Sequence, residues 1–324
     1  MNNMKEYDDF DDIVKEMSPS ERIALSVEMS PCNFIAVEVM VRKLRQAGFS
    51  ELDLKREWSL TPGGRYFVTR NDTAIFAFIC GNSPMAEAGF HIIAAHSDSP
   101  GFKTKPDPEI YGDGGVVSLN VEKYGGTIMS TWFDRPLSMA ARLMVRTDDP
   151  LRPETLLVDL QRPLAVIPNL AIHFNRQVND GVKLSVQKDM KPVMGYMPRE
   201  EFDVCQKRGG VVKCLMAEAA NVDAADIIGM ECLLYPCEST ATGLGINEDL
   251  IVSPRLDDLS MAFAAIEALV MTADTATAAT RVAAVFDNEE TGSTTRQGAA
   301  APTLRHIVAR VTLGLDSGAQ ENRE

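Results

Sequence analysis

A short apolar segment that runs directly into adjacent carboxylates constrains the fold of this chain more than any other feature. Residues 282–286 are uncharged and suited to a buried strand, and Asp287, Asn288, Glu289 and Glu290 follow at once. In open α/β sheets, ligands bind beyond the carboxyl ends of the strands. Of two neighbouring glutamates, one can hold a cation while the other accepts a proton from water. The alternative is a solvated turn before a glycine.

Length and charge limit the classes of function. With 324 residues, the chain is long enough for a large core and for two domains. Its net charge of −14 argues against a nucleic-acid backbone or an anionic membrane as a partner. No apolar run approaches the roughly 20 residues of a membrane span, and the first residues are acidic rather than signal-like. We therefore expect a cytoplasmic protein.

The cysteines and histidines narrow the choice of site further. The six cysteines are scattered without a Cys-x-x-Cys pair, which favours buried small side chains over a thiolate zinc site or a disulfide framework. Only four histidines are available for an imidazole site, and they are His91, His96, His173 and His306. His306 fits an amphipathic helix, where a structural role is expected.

Local signals predict an α/β beginning. Ser18 stands where a capping box starts a helix, and a second helix is predicted from Ser30 to a C-terminal cap at Gly48. Residues 65–69 and 73–79 are predicted to form a hairpin. The first part of the chain is therefore predicted to contain both helices and strands.

The middle of the chain has a different residue pattern. Short alternating stretches broken by Gly, Pro and Asp predict a β-rich unit without long helices. These stretches are residues 115–121, 127–132, 140–145 and 165–173. An Ala-rich helix is then predicted over residues 259–271. We predict an α/β domain made of residues 1–98 and 239–324, interrupted by a β-rich insertion of residues 99–238.

Three separate places carry side chains suited to a metal. The short apolar strand predicted over residues 90–95 ends in His96, and Asp98, two residues later, can fix the imidazole. Asp257 lies between an apparent strand and a helix start, although Asp257 and Asp258 could instead only cap that helix. Together with the two glutamates, these residues supply the oxygen and imidazole ligands of a dinuclear zinc-type hydrolase.

Seven sequence blocks, in order, resemble the aspartyl aminopeptidase family, which comprises dinuclear zinc metallopeptidases related to aminopeptidase I. The resemblance covers about residues 27–324. The blocks are SPCNFIAVEVMVRKLRQAGFSEL, WSLTPGGRYFVTRNDTAIFAF, HIIAAHSDSPGFKTKP, YGGTIMSTWFDRPL, IPNLAIHFNR, SPRLDD and FDNEETGS.

The resemblance implies a fold and an activity. The fold would be a zinc-peptidase-like αβα sandwich interrupted by an inserted, barrel-like, β-rich dimerisation domain, with assemblies from a dimer to a dodecamer. The activity would be removal of N-terminal residues from peptides, acidic residues preferred or a broader range, by metal-activated water. Zinc, two ions per site, would be the cofactor, with cobalt or manganese possible.

The resemblance also implies a role for each matching residue. His96 would bind one metal, Glu290 the other, and Asp257 would bridge the two. Glu289 would act as the general base that activates the water.

Two further residues complete the implied site. Asp98 would orient the imidazole ligand, and His173 would reach from the insertion into a neighbouring subunit's site and steady the reaction intermediate. The peptide bond between Asp257 and Asp258 would be cis, as it is in related enzymes.

One difference between this sequence and the family pattern leaves a second hypothesis about function open. The family pattern continues beyond Glu324 with further metal ligands, so the chain as given would lack part of the ligand set. The alternative function is a catalytically incomplete assembly or oligomerisation protein, and loss of activity in Glu289→Ala with an intact oligomer would exclude it. Lys103 and Arg255 are the nearest basic candidates for reading an acidic substrate, although a solvated surface cation is the expected state of Lys103.

Overall fold

The computed structural model describes residues 17–321. The described chain divides into two compact units. We call Pro100–Ser239 the barrel unit, and residues 17–99 together with 240–321 the sheet unit. At both junctions the division falls one residue after the domain boundary predicted from the sequence.

The described elements alternate between helices and strands in the sheet unit and are mostly strands in the barrel unit. The helices are α1 (Pro19–Glu28), α2 (Asn33–Gln46), α3 (Met85–Ala88), α4 (Val186–Asp189), α5 (Arg199–Lys207), α6 (Val211–Ala220), α7 (Leu256–Met271) and α8 (Thr303–Glu321). Short 3₁₀ turns span Asp113–Gly115, Met129–Trp132, Ala224–Asp226 and Glu289–Thr291. The strands up to residue 124 are β1 (Ser50–Glu51), β2 (Arg65–Arg70), β3 (Ala74–Ile79), β4 (Phe90–His96), β5 (Gly101–Tyr111) and β6 (Val116–Tyr124). The later strands are β7 (Pro136–Val145), β8 (Glu154–Asp159), β9 (Ala165–Val166), β10 (Val193–Tyr196), β11 (Ile227–Pro236), β12 (Ala241–Leu244), β13 (Leu250–Val252) and β14 (Thr280–Phe286).

The sheet unit is built on a mixed five-stranded sheet in the order β1-β2-β3-β14-β4. β2 and β3 form the predicted antiparallel hairpin, and β14 lies between β3 and β4. β14 runs antiparallel to β3 and parallel to β4. Because β14 has a partner on both sides, its position in the sheet is fixed by two hydrogen-bonded ladders.

Helices cover both faces of this sheet. All six residues of β3 are buried, as expected for a strand with packed layers on either side. One face packs against α8 through Ile307 and Val311. Helix α2 contacts β3, and α7 contacts β3, β14 and β4. The cluster under α8 contains Leu60, Val68, Ala74, Phe76, Phe78, Cys80, Val282, Ala284, Phe286, Ile307 and Val311. The layered α/β architecture predicted from the sequence is confirmed.

The first two helices follow their local signals. Ser18 caps α1 in a complete capping box, in which its side chain accepts from Glu21 N and the Glu21 carboxylate accepts from Ser18 N. α2 begins at Asn33, later than the predicted start at Ser30. Gly48 follows the helix with a φ of 79°, a conformation that favours glycine.

The barrel unit contains a closed β-barrel. Its strands are ordered β11-β5-β6-β10-β9-β7-β8, and β11 also pairs with β7. This second pairing closes a ring of six strands and leaves β8 outside it, on β7. The barrel interior is apolar, with Phe102, Leu119, Leu137, Met139 and Leu143 all fully buried. The barrel-like character predicted for the insertion is confirmed.

Parts of the barrel unit differ from the sequence prediction. Residues 127–132 contain the 3₁₀ turn Met129–Trp132 rather than a strand, because the Thr127 hydroxyl donates to Tyr124 O and Gly101 O and closes a turn. Of the stretch 165–173, only Ala165–Val166 is a strand. Helices α5 and α6, of nine and ten residues, were not anticipated.

Two predictions about composition can be compared with the structure. All six cysteines lie in the described part of the chain and none forms a disulfide; Cys32, Cys80 and Cys232 are buried and the others half-buried. Burial raises the pKa of Cys80 and of Cys232 to about 12, so both thiols are inert small side chains at neutral pH. Among residues 17–321, no helix combines the length and the apolar character that a membrane crossing needs.

Candidate metal centre

The ends of β4 and β14 lie side by side at one edge of the main sheet. In the parallel ladder between them, Phe286 is paired with His96, so both strands end at the same level. The turn Glu289–Thr291 begins three residues after β14 ends. Strand pairing therefore brings His96 next to the acidic pair from a distant part of the sequence.

Three side chains form a cluster that can hold a metal ion. His96, Glu289 and Glu290 each offer a ligand atom, and these atoms all lie within 4.8 Å of one another. Asp257 adds a fourth group, because its Oδ1 lies 3.4 Å from His96 Nε2. One imidazole and several carboxylates are a donor set that zinc accepts in catalytic sites. The residues present therefore fit a zinc ion by the chemistry of their donors.

The cluster is open to solvent on its acidic side. The side chain of Asp257 is 87% exposed and that of Glu289 is 56% exposed, whereas that of His96 is 13% exposed. The imidazole thus forms the floor of the cluster, and the carboxylates form its accessible rim. A small molecule could reach the carboxylates without rearrangement of the sheet.

Asp257 enters the cluster from the start of α7, the helix that was predicted over residues 259–271. The strand that precedes it, β13, was not expected to lie outside the main sheet, and it pairs with β12 in a separate two-stranded ribbon. Arg255, just before α7, has a φ of 62°. The peptide bond between Asp257 and Asp258 is cis, as the resemblance implied.

Asp98 connects the imidazole to the acidic turn. It is 1% exposed, its Oδ1 lies 3.3 Å from His96 Nδ1, and its backbone carbonyl lies 2.9 Å from the same nitrogen. The same carboxylate accepts the backbone N–H of Glu289 at Oδ1 and that of Glu290 at Oδ2, each at 3.2 Å. With Nδ1 engaged in this way, Nε2 is the nitrogen left to face a metal. The contact with the turn was not anticipated from the sequence.

The field at the cluster favours positive charge. The backbone N–H of His96 donates to Asp258 Oδ2 at 3.1 Å. Burial alone would lower the pKa of His96, but the carboxylates of Asp98 and Asp258 outweigh it and raise this pKa to about 9. Carboxylates that stabilise a proton on the imidazole also stabilise a cation bound in its place. The sequence assigns Asp258 only a possible helix-capping role and a place in the cis peptide bond, so its contact with the backbone of His96 was not predicted.

A buried layer supports the turn from behind. Asp287 is 2% exposed and accepts from Asn33 Nδ2 at 3.0 Å and from Asn288 N at 2.8 Å. Burial raises the pKa of Asp287 more than the side-chain hydrogen bond from Asn33 lowers it. The Asn288 side chain in turn accepts from Thr295 Oγ1 at 2.8 Å. The bond between Asn33 and Asp287 spans 254 positions of the sequence, so no local pattern could have identified it.

The other predicted residues lie elsewhere. His173 is exposed in a turn of the barrel unit and is not part of the described cluster. His91 is exposed on β4 and His306 is exposed on α8. Lys103 is not a solvated surface cation as expected, because its ammonium group donates to Glu231 Oε1 at 2.6 Å and lies 4.3 Å from the centre of the Tyr124 ring.

Comparison with known proteins places this geometry in a family. Residues 26–324 match the family model described as "Aminopeptidase I zinc metalloprotease". Two curated proteins named "Probable M18 family aminopeptidase 2" are similar, from Clostridium novyi at 40% identity over 292 residues and from Clostridium acetobutylicum at 43% over 284 residues. These matches cover 90% and 88% of this chain but 66% and 64% of the relatives. The chain therefore spans slightly less than two thirds of their length.

A solved structure supports the same assignment. The S. cerevisiae mApe1 dodecamer is 26% identical and superimposes with a TM-score of 0.78, covering 91% of this chain and 66% of that one. The sequence blocks, the layered sheet with its closed barrel and the match over residues 26–324 agree with one another. This chain belongs to the aminopeptidase I (M18) family of zinc metalloproteases.

Proposed function

We propose that this protein is a metallo-aminopeptidase that removes N-terminal residues from peptides, with acidic residues preferred or a broader range accepted. The observation that carries the proposal is the cluster of His96, Glu289 and Glu290, with ligand atoms within 4.8 Å of one another and Asp257 beside the imidazole. The cluster lies on elements that belong to the family match.

The proposed metal ligands are His96, Asp257 and Glu290. His96 would hold one zinc ion, Glu290 a second, and Asp257 would contact both, with cobalt or manganese as possible substitutes. The exposure of Asp257 is consistent with a carboxylate that has room for an ion on either side. When bound, zinc would polarise the scissile carbonyl and increase the acidity of a water molecule.

Glu289 is the proposed proton carrier. Its Oε2 lies 3.9 Å from His96 Nε2, beside the proposed ligands, and more than half of its side chain is exposed. A carboxylate in that position can take a proton from the attacking water and pass it to the leaving amine. Asp98 would keep the imidazole and the backbone of the acidic turn in position while the proton moves.

Self-association is the second part of the proposal. The barrel unit would mediate a dimer and larger assemblies up to a dodecamer, the form named for the similar S. cerevisiae protein. His173, exposed on a turn of the barrel unit, would act in a neighbouring subunit's site by stabilising the reaction intermediate. We also propose a cytoplasmic location, in keeping with six cysteines that form no disulfide and a net charge of −14.

One experiment separates this function from an assembly-only role. Metal content would be measured by mass spectrometry after dialysis against trace zinc, and hydrolysis would be followed with the p-nitroanilides of Asp, Glu and Leu. The proposal expects bound zinc and turnover in the wild type, and bound zinc without turnover in Glu289→Gln. Wild-type protein that binds no zinc and hydrolyses none of the substrates, with its oligomer intact, would instead support the assembly role.

A further inference from the structure

A pocket lies at the end of the main sheet opposite the metal cluster, where β14 begins. Its volume is about 210 Å³, below the range typical of sites for drug-sized ligands, so it suits a small ion. The charged groups in its wall are Arg65, Asp274 and Arg281. Phe286, at the far end of β14, is five positions after Arg281, which corresponds to about 17 Å along the strand.

Sheet register explains why two arginines meet in this pocket. Ile79 on β3 is paired with Arg65 of β2 on one side and with Arg281 of β14 on the other. Directly opposed residues of neighbouring strands project from the same face of a sheet. Both guanidinium groups therefore extend over Ile79 on one face, and their charges repel each other.

Arg281 is held by backbone carbonyls rather than by a carboxylate among its described contacts. Its Nη1 donates to Thr272 O at 2.7 Å and its Nη2 donates to Thr275 O at 2.8 Å, in the turn that follows α7. Its Nε is buried and has no hydrogen-bond partner among residues 17–321. Burial, with a smaller effect of the Arg65 charge, lowers the pKa of Arg281. A buried donor on a cation without a counter-charge is costly unless a ligand supplies an acceptor.

Within the described part of the chain, Arg65 has one acidic partner, and that partner is exposed. Its guanidinium donates to Ala47 O at 3.2 Å and to the carboxylate of Asp274. The side chain of Asp274 is 96% exposed, so it can leave without loss of packing. The wall of the pocket thus contains two cations and one surface carboxylate.

We propose that this pocket binds a small oxyanion, of the size and charge of inorganic phosphate, between Arg65 and Arg281. The oxyanion replaces the Asp274 carboxylate at Arg65 and offers an acceptor on the side of Arg281. Guanidinium groups bind phosphate oxygens through charge-assisted hydrogen bonds. The site is separate from the metal cluster and does not depend on the proposed peptidase activity.

Isothermal titration calorimetry with sodium phosphate, at pH 7 and constant ionic strength, tests the proposal. Two variants are expected to change the phosphate affinity in opposite directions. Arg65→Gln removes a cation and should weaken phosphate binding by at least about tenfold. Asp274→Asn removes the competing carboxylate and should tighten binding several-fold. Arg152→Gln, which removes an exposed arginine in the barrel unit, should leave binding unchanged.

Phosphate that binds at the metal cluster, or only through the net charge of the protein, would not respond to these two substitutions in opposite directions. Binding that is the same in the wild type, Arg65→Gln and Asp274→Asn would overturn the proposal, and so would no binding at millimolar phosphate. If Arg65→Gln fails to fold, Asp274→Asn decides the question alone, because tighter binding supports the site and unchanged or weaker binding overturns it.

Discussion

The carboxylate of Asp98 lies 3.3 Å from the imidazole of His96 and also accepts the backbone N–H groups of the acidic turn. One buried side chain therefore positions two chain segments that are far apart in sequence. This double role makes Asp98 a positioning residue for both the imidazole and the acidic turn.

Replacement of Asp98 by Asn should weaken zinc binding about 10- to 100-fold, because the amide offers one acceptor oxygen instead of two and carries no charge. A competition titration against a chelator with a known zinc affinity measures the change. Asp72→Asn, an exposed substitution in the turn between β2 and β3, is the matched control and should bind zinc like the wild type. An unchanged affinity in Asp98→Asn would contradict the positioning role.

Substitution of a proposed ligand should lower metal content rather than turnover alone. Glu290→Gln replaces a charged oxygen ligand by a neutral amide, so we expect fewer zinc ions per chain after dialysis. Elemental analysis by mass spectrometry gives the stoichiometry directly. Glu57→Gln, at an exposed position between β1 and β2, should retain the wild-type content. Equal zinc in both variants would remove Glu290 from the ligand set.

Stability of the barrel unit should depend on pH through Glu231. Burial would raise the pKa of Glu231, but the ion pairs with Lys103 and Arg142, at 2.6 and 3.0 Å, outweigh burial and lower it. A lowered native pKa contributes stability that is fully present above the unfolded value of about 4.3 and is lost as the pH falls below it.

Glu231→Gln should therefore unfold at a lower urea concentration than the wild type at pH 7, and the difference should shrink as the pH falls from about 5 to 3. Urea titrations followed by circular dichroism at several pH values provide the measurement. Glu154→Gln, at an exposed position on β8, should show no such dependence. A constant difference between wild type and Glu231→Gln at all pH values would show that the ion pairs are not responsible.

The capping box of α1 should contribute measurably to stability. Ser18→Ala removes the side-chain acceptor for Glu21 N, and N-cap substitutions of this kind cost about 1 kcal/mol of unfolding free energy. Thermal unfolding compares the variant with Ser185→Ala, because Ser185 precedes α4 without a side-chain capping bond. We expect a lower midpoint only in Ser18→Ala, and equal midpoints would contradict the capping role.

Sequence reasoning succeeded where the determining interactions are local. The hairpin of β2 and β3 and the strands β4 and β14 follow from apolar runs bounded by turn residues, and Ser18 identifies the start of α1. It failed where a distant partner decides the local conformation. The Thr127 hydroxyl bonds to Gly101 O and helps to turn a stretch that alternates like a strand, so Met129–Trp132 is a 3₁₀ turn.

The same division applies to the site. The clustering of His96 with Glu289 and Glu290 was expected, because residues at the ends of neighbouring strands meet at one sheet edge. The bonds between Asp98 and the acidic turn could not be read from the sequence, since they join residues more than 190 positions apart. Likewise, Arg65 and Arg281 become neighbours only through Ile79, which no local pattern reveals.

The central place of β14, paired on both sides, has a consequence for how this protein can change. A slip of one residue in its register would turn every side chain to the opposite face, so both ladders resist such a slip. The position of the acidic turn along the strand direction, relative to His96, is thus set by packed small residues of β14 such as Ala283 and Ala284. Substitutions along β14 should therefore affect catalysis even at positions that never contact a metal or a peptide.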